Sequence, residues 1–308
     1  MIATRSTIYT MHGVAPNVDP RRFIYRNISD ERRFREILST RPAFVPLTES
    51  LAGRGDALTI DDATRASADA ALLARRLGHE VTLFVNPGQV DPPIPYSFNL
   101  LSVLMDRLKA RSVNLDGKTL KARTPADRDA IRKRIKTRLR EIEREAERNA
   151  LIARLALQWG DVDLRMPHFL QTLTTAELEQ LRDSGVDIQN HGWTHRCHSR
   201  HSAEESQREI DTGRQWLLDR LGVTADLFAV PFGDVLPPAG VDCRHWLTAD
   251  YRLPRGQIGQ TVWNRETLQA DPAPRAFDQV RSSARGFIRR ARRRFQHYSQ
   301  ANRRSGLR

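Results

Sequence analysis

Two cysteines, Cys197 and Cys243, are all that the 308 residues contain, and no C-x-x-C pair occurs. A disulfide framework and a cysteine-rich zinc module are therefore both excluded. Long apolar runs are missing as well. No stretch reaches the roughly 18 residues needed to span a bilayer. Residues Met1 to Val14 are too polar and too broken for a secretory h-region. From these absences we expect a cytoplasmic protein. Internal repeats are absent, and the one low-complexity segment is an arginine-rich tail. What is present is enough apolar material for a core, 39% of residues, which excludes disordered and collagen-like chains. The length suits one α/β unit with insertions.

Acidic residues, 37 of them, are outnumbered by 50 Lys and Arg, and the net charge is +13. Its distribution matters more than its size. Met105 to Leu155 carries 16 Lys/Arg and 8 Asp/Glu, and Arg275 to Arg308 carries 11 Arg and one Asp. Together these segments exceed the total, so the remainder is net acidic at −5. The excess belongs to an insertion and a tail. Such segments act on membrane surfaces, nucleic acid or acidic glycans.

Ser6 to Val14 alternates and carries β-formers, so it reads as a strand. Glu31 to Leu38 reads as a helix. Asp56 to Asp61 is a short strand that stops at a carboxylate pair. Thr64 to Leu77 is a helix closed by Gly78, and Glu80 to Asn86 is the next strand. Strand, helix, strand argues a βαβ unit and a parallel sheet. Leu100 to Leu108 is helical. Ala126 to Gln158 reads as one long charged helix or two, with Ile131, Ile135, Leu139, Ile142, Ala146, Leu151 and Leu155 on one narrow stripe. It looks like an inserted hairpin that covers the core and turns its charges to water. Thr174 caps a helix over Ala176 to Ser184, and Ser202 caps one that runs to Leu221 before Gly222. Val186 to Gln189, Leu227 to Val230 and His245 to Ala249 read as strands.

Three strand ends hold unusual residues. Asp61 and Asp62 are adjacent carboxylates that repel each other unless something positive sits beside them. A metal ion does this and leaves one carboxylate as ligand and the other as base. Asp is also common at helix N-termini, which is the plainer explanation of the pair taken alone. His191 and His195 stand in H-G-W-T-H, a spacing that brings two imidazoles to one ion on a helical turn or a tight loop. His198 and His201 lie in a polar run and read as bystanders. Pro231-Phe232-Gly233 ends the strand at Leu227 to Val230, where a plain turn is also expected.

In combination these segments resemble the polysaccharide deacetylase family, also called the NodB-homology or carbohydrate esterase family 4 domain. The family's T-F-D-D-G stands here as T-I-D-D-A, its H-x-x-x-H as H-G-W-T-H, and its Pro-aromatic-Gly turn as A-V-P-F-G. The N-terminal I-Y-T-M-H-G-V is similar to the family's first strand. The resemblance covers 5–95 and 165–265. It implies an α/β fold, a distorted (β/α) barrel with its site at the C-terminal strand ends. It divides the chain into a deacetylase domain (1–95 and 165–265), an inserted basic helical segment (96–164) and a basic C-terminal tail (266–308).

The resemblance implies removal of an acetyl group from an N-acetylated sugar, in envelope polysaccharide or lipopolysaccharide biosynthesis. Asp61 matches the general base, and Asp62, His191 and His195 match the metal ligands. Two nitrogens and one oxygen suit Zn2+, with Co2+, Ni2+, Fe2+ or Mn2+ as other options. Trp193, Pro231, Phe232 and His12 are the expected substrate contacts. Some positions depart from the pattern. Ala229 stands where many relatives place the arginine that orients the base. Ala63 replaces a glycine. The L-x-H motif that supplies the acid is absent, leaving His12 or His245 as substitutes.

Residues 277–295 place Phe277, Val280, Ala284, Phe287, Ile288, Ala291 and Phe295 on one face among arginines. This basic amphipathic pattern suits an anionic membrane surface at the inner face, where a lipid-linked glycan would be met, and equally suits docking on the protein. Two rival functions stay open at this point. One is a degenerate glycan- or metal-binding module of the same fold. The other is a nucleic-acid-binding protein, which lacks a recognition motif and aromatics among the insertion's charges.

Overall fold

The computed structural model describes residues 6–233, 241–243, 245–249, 256–258 and 262–268. The expected basic helix over 277–295 lies outside the described residues, as does most of the 266–308 tail.

The chain opens with β1 (Ile8–Met11), followed by β2 (Val14–Ala15), which pairs in parallel with β3 (Ser29–Asp30). Helix α1 (Glu31–Thr40) begins at Asp30, whose carboxylate accepts from the Arg33 N–H, and the short α2 (Leu47–Leu51) follows. Strand β4 (Ala57–Asp61) is buried along its whole length, as a parallel strand covered on both faces must be. Thr64 caps α3 (Arg65–Arg76), and Gly78, at φ 80°, ends it in the left-handed region that favours glycine. Next come β5 (Thr82–Val85), one turn of α4 (Pro87–Val90) and α5 (Ser97–Arg107).

The insertion is more varied than its charge pattern predicts. A hairpin of β6 (Ser112–Leu115) and β7 (Lys118–Lys121) turns at Asp116-Gly117, ahead of two separate helices, α6 (Pro125–Leu139) and α7 (Glu145–Gln158). Ile131, Ile135 and Leu139 recur at i, i+4 and i+8 on α6 and are buried against α5, α7 and the hairpin. At roughly 1.5–3 kcal/mol for each buried aliphatic side chain, this stripe holds down a helix whose other faces are basic. The predicted caps of the next two helices are present as full capping boxes. Thr174 with Glu177 starts α8 (Thr175–Asp183), and Ser202 with Glu205 starts α9 (Ala203–Leu221).

Between α8 and α9 runs β8 (Asp187–Asn190). The remaining strands are β9 (Leu227–Ala229), β10 (His245–Thr248), β11 (Gly256–Ile258), β12 (Val262–Asn264) and β13 (Glu266–Thr267). The main sheet runs β11-β12-β10-β9-β8-β5-β4-β1-β13, parallel throughout except for the antiparallel β11. The α/β class is as expected, with a mixed sheet. One continuous stretch connects its flanks. Val262 to Asn264 pair with β10, while Glu266 and Thr267 pair with β1. Arg265, between them, is thereby carried to the middle of the molecule, where its side chain is fully buried.

Candidate active site

The site is built at the C-terminal ends of β4, β8 and β9, where parallel α/β sheets gather their functional loops. Asp61 is the last residue of β4. Asp62, at φ 71°, turns the chain back and aims its carboxylate inward. Asp62 thus takes the left-handed conformation, and Ala63 after it does not. The Ala63 N–H is held by the Tyr96 hydroxyl at 2.9 Å. His191 follows β8 directly. Gly192 (φ 82°) and His195 (φ 54°) fold H-G-W-T-H into a tight loop.

These turns bring Asp62, His191 and His195 together, with one donor atom from each lying within 4.8 Å of the others. The Asp62 Oδ1 is 3.4 Å from His195 Nε2 and 3.7 Å from His191 Nε2. His191 donates from Nδ1 to the Ala229 carbonyl at 2.6 Å, which leaves its Nε2 lone pair facing the carboxylate. Among the described residues, Asp62 Oδ1 and His195 Nδ1 are buried with no hydrogen-bond partner. Burial, then the charges of Asp61 and Glu145, push the Asp62 carboxyl well above the usual carboxylate range. Burial lowers His191 to about 4 and His195 well below its ordinary value. Two neutral imidazoles and an orphaned buried carboxylate oxygen fit a divalent cation: its charge would reverse the cost of ionising Asp62.

Asp61 has a different partner. Arg265 Nη1 and Nη2 donate to its two oxygens at 2.6 and 2.7 Å, and Nη1 also reaches Thr59 Oγ1 at 3.1 Å. Burial pushes the Asp61 carboxyl up, but the Arg265 charge, the nearby His191 and the forked hydrogen bonds outweigh it and hold the group at about 2. The orienting arginine that is missing at Ala229 is thus supplied from between β12 and β13. Sequence reasoning missed Arg265. No local motif marks it, and it stands 204 positions from its partner.

The loop that carries His195 is clamped from below. Arg148 on α7 is 1% exposed and donates to the His195 carbonyl at 3.1 Å, to Ile142 at 3.0 Å and to Glu143 at 2.8 Å. Glu209 on α9 accepts from the Thr194 N–H and hydroxyl at 2.7 and 2.8 Å. Asn86 donates to the carbonyls of His191 and Gly192.

A cavity of about 290 Å³ opens over these groups and is lined by Asp61, Asp62, His191, His195, Phe232 and His12 among others. Phe232, at φ 63°, presents its ring edge-to-face to His195 at 4.7 Å. Trp193 and Pro231 are not among the lining residues. Trp193 packs against Gly88, whose N–H donates to its carbonyl, so closely that a Cβ on Gly88 would lie 2.8 Å from the indole. Pro231 is buried behind Phe232. The bystander histidines are indeed apart. His198 is buried between Phe228 and Trp246, and His201 faces Glu205. His245 opens β10, the strand's far end from the site, so of the two substitute acids only His12 lies at the cavity. The insertion also does more than cover the core, since Arg132 and Lys136 of α6 line the same cavity.

No match is found among curated protein sequences. The fold is similar to the Streptococcus pyogenes deacetylase PplD, solved in complex with acetate. That likeness has 13% identity, covers 88% of this chain and 96% of that one, and has a TM-score of 0.53. It is also similar to BC0361, a polysaccharide deacetylase from Bacillus cereus, at 12% identity, covering 85% and 64% of the two chains, with a TM-score of 0.50. The sequence model of polysaccharide deacetylases matches residues 53–240, which span the D-D, H-G-W-T-H and P-F-G segments gathered at the three strand ends. On that match the chain belongs to the polysaccharide deacetylase family.

Proposed function

We propose that the chain is a metal-dependent hydrolase that removes the acetyl group from an N-acetylated sugar of an envelope polysaccharide or lipopolysaccharide precursor. The observation that carries this reading is the pairing of two unlike carboxylates on one cavity. Asp61 is kept ionised by Arg265, whereas Asp62 is orphaned beside two neutral imidazoles. Environments that push neighbouring acids apart in this way assign them different roles.

Asp62, His191 and His195 would hold the ion, Zn2+ being the best match to the donor set. Bound there, it would supply Lewis acidity toward the amide carbonyl and toward water. Asp61, fixed by the Arg265 fork, takes a proton from the attacking water. It then hands the proton to the leaving amine nitrogen as the C–N bond breaks. Phe232 and His12 bound the space for the sugar. The acetate bound to the Streptococcus pyogenes relative is the product such a reaction releases. Peripheral contact of 277–295 with an anionic inner-membrane surface fits a lipid-linked substrate, and its support is the Phe/Arg pattern of the sequence.

The test is metal content of the purified chain beside a His191→Ala/His195→Ala double variant, followed by acetate release from N-acetylated saccharides. About one zinc-like ion per chain, lost in the variant, with acetate released only by the unmodified protein, supports the reading. An intact chain that binds no metal after zinc or cobalt is added overturns it and leaves a glycan-binding module of the same fold.

A further inference from the structure

The cavity has two chemically distinct walls. One carries the metal-type donors and Asp61. The other is basic and comes from outside the three family segments: Arg26, just after the turn Phe23–Tyr25, and Arg132 and Lys136, one helical turn apart on α6. Arg26 Nη2 and Arg132 Nε share a single oxygen of Asp129, at 2.8 and 3.1 Å, while Lys133 takes the other at 3.0 Å. Three cations therefore lean on one carboxylate. Asp129 is 7% exposed, and only 13% of the Arg132 side chain reaches water. Burial, followed by the Arg26 charge, lowers the Arg132 pKa against the opposing pull of Asp129. Lys136 stands 5.7 Å from the Phe232 ring centroid, so the basic wall reaches the aromatic beside His195. Asn99 and Ser102 of α5 complete that side with neutral polar groups.

Arg26, Arg132 and Lys133 thus meet a single carboxylate, so among these four described residues positive charge is in excess. A neutral polysaccharide would give this wall nothing to neutralise. Guanidinium groups that line a cavity are instead suited to forked recognition of phosphate or carboxylate.

Resting on the deacetylase reading above, we propose that Arg26, Arg132 and Lys136 form an anion subsite that selects a saccharide carrying a phosphate or carboxylate next to the acetylated sugar. Phosphate would come from a lipid-linked or nucleotide-linked sugar, carboxylate from a neighbouring uronate.

The test compares kcat/KM for acetate release on three matched N-acetylglucosamine probes: the neutral chitin tetramer, the 1-phosphate, and a hyaluronan tetramer that alternates with glucuronate. One or both anionic probes should be preferred by roughly 10–100-fold. That ratio should collapse toward one in an Arg132→Gln/Lys136→Gln variant and survive in Arg132→Lys, which keeps the charge. Which anionic probe leads distinguishes phosphate from carboxylate. Equal or better turnover of the neutral probe overturns the proposal, as does a preference that the double variant retains. Binding of the 1-phosphate by calorimetry separates this proposal from the deacetylase reading. Binding lost in the double variant, with no acetate released from any probe, would leave the subsite standing and refute the hydrolase. No binding by the unmodified chain refutes the subsite.

Discussion

Replacing Arg265 by methionine isolates the device on which the proposed base depends. In the folded protein Asp61 sits at about 2, against an ordinary 3.8, although burial alone would raise it. That difference of nearly two units corresponds to about 2 kcal/mol of stability. Because the folded pKa is depressed, this contribution is complete above the unfolded value of 3.8 and is lost as the pH falls toward 2. Removing the arginine also leaves a buried carboxylate without its counter-charge, which costs roughly 3–5 kcal/mol in comparable sites. The melting temperature at neutral pH should therefore fall by roughly 6–15 °C, and the gap between the two proteins should narrow in acid. Activity should fall by about 10²–10⁴, and the acid limb of kcat/KM should move up by about two pH units or more, since Asp61 would then be protonated where it now is ionised. Metal content should hold, because Arg265 touches Asp61 and leaves the Asp62, His191 and His195 cluster alone. Arg265→Lys keeps the charge, loses the fork and should fall between the two. Circular dichroism melts and pH–rate profiles decide the matter. An Arg265→Met protein with unchanged melting and an unmoved acid limb would refute the reasoning.

Other expectations are equally direct. Asp62→Ala, His191→Ala and His195→Ala should each lose the metal, whereas Asp61→Asn should keep it and lose turnover; elemental analysis beside acetate release tells them apart. His198→Ala should leave metal content intact but cost roughly 2–4 kcal/mol in urea unfolding, because its ring fills space between Phe228 and Trp246. Arg148→Met should weaken metal binding by roughly 10–100-fold in a chelator titration, since it frees the loop that carries His195. Gly13→Ala should destabilise the fold by about 2–5 kcal/mol. Gly13 sits at φ 144°, and a Cβ there would lie 2.5 Å from the Ala66 backbone. Measured loss below about 0.5 kcal/mol would contradict that geometry.

Much of the fold is legible in the sequence because its signals are local. Thr174 with Glu177 and Ser202 with Glu205 announce their helices within four residues, and Gly78 and Gly222 end theirs by left-handed backbone geometry. The metal-type donors are legible for the same reason. Asp62 lies one residue past a buried strand, and His191 and His195 are separated by a single tight loop. The hairpin at Asp116-Gly117 is masked in the sequence by a segment dominated by its charge, although its turn residues are the usual ones.

Everything that depends on which strand lies beside which was decided by tertiary structure. Arg265 reaches Asp61 only because one stretch of chain pairs with β10 at one end and β1 at the other. Trp193, inside the clearest motif, turns away because Gly88 leaves room for its indole, while Phe232 turns in. The charges of α6 read from sequence as a solvated face. Burial of Ile131, Ile135 and Leu139 against α5 and α7 swings Arg132 and Lys136 over the cavity instead. Local signals and periodicity report which face of an element is apolar and which residues stand at its end, so the sequence by itself determined the family, the strand ends and the Asp-His-His group. It carries no record of what the other face meets, because that is set by long-range packing, and so the orienting arginine and the basic wall belong to the folded structure alone.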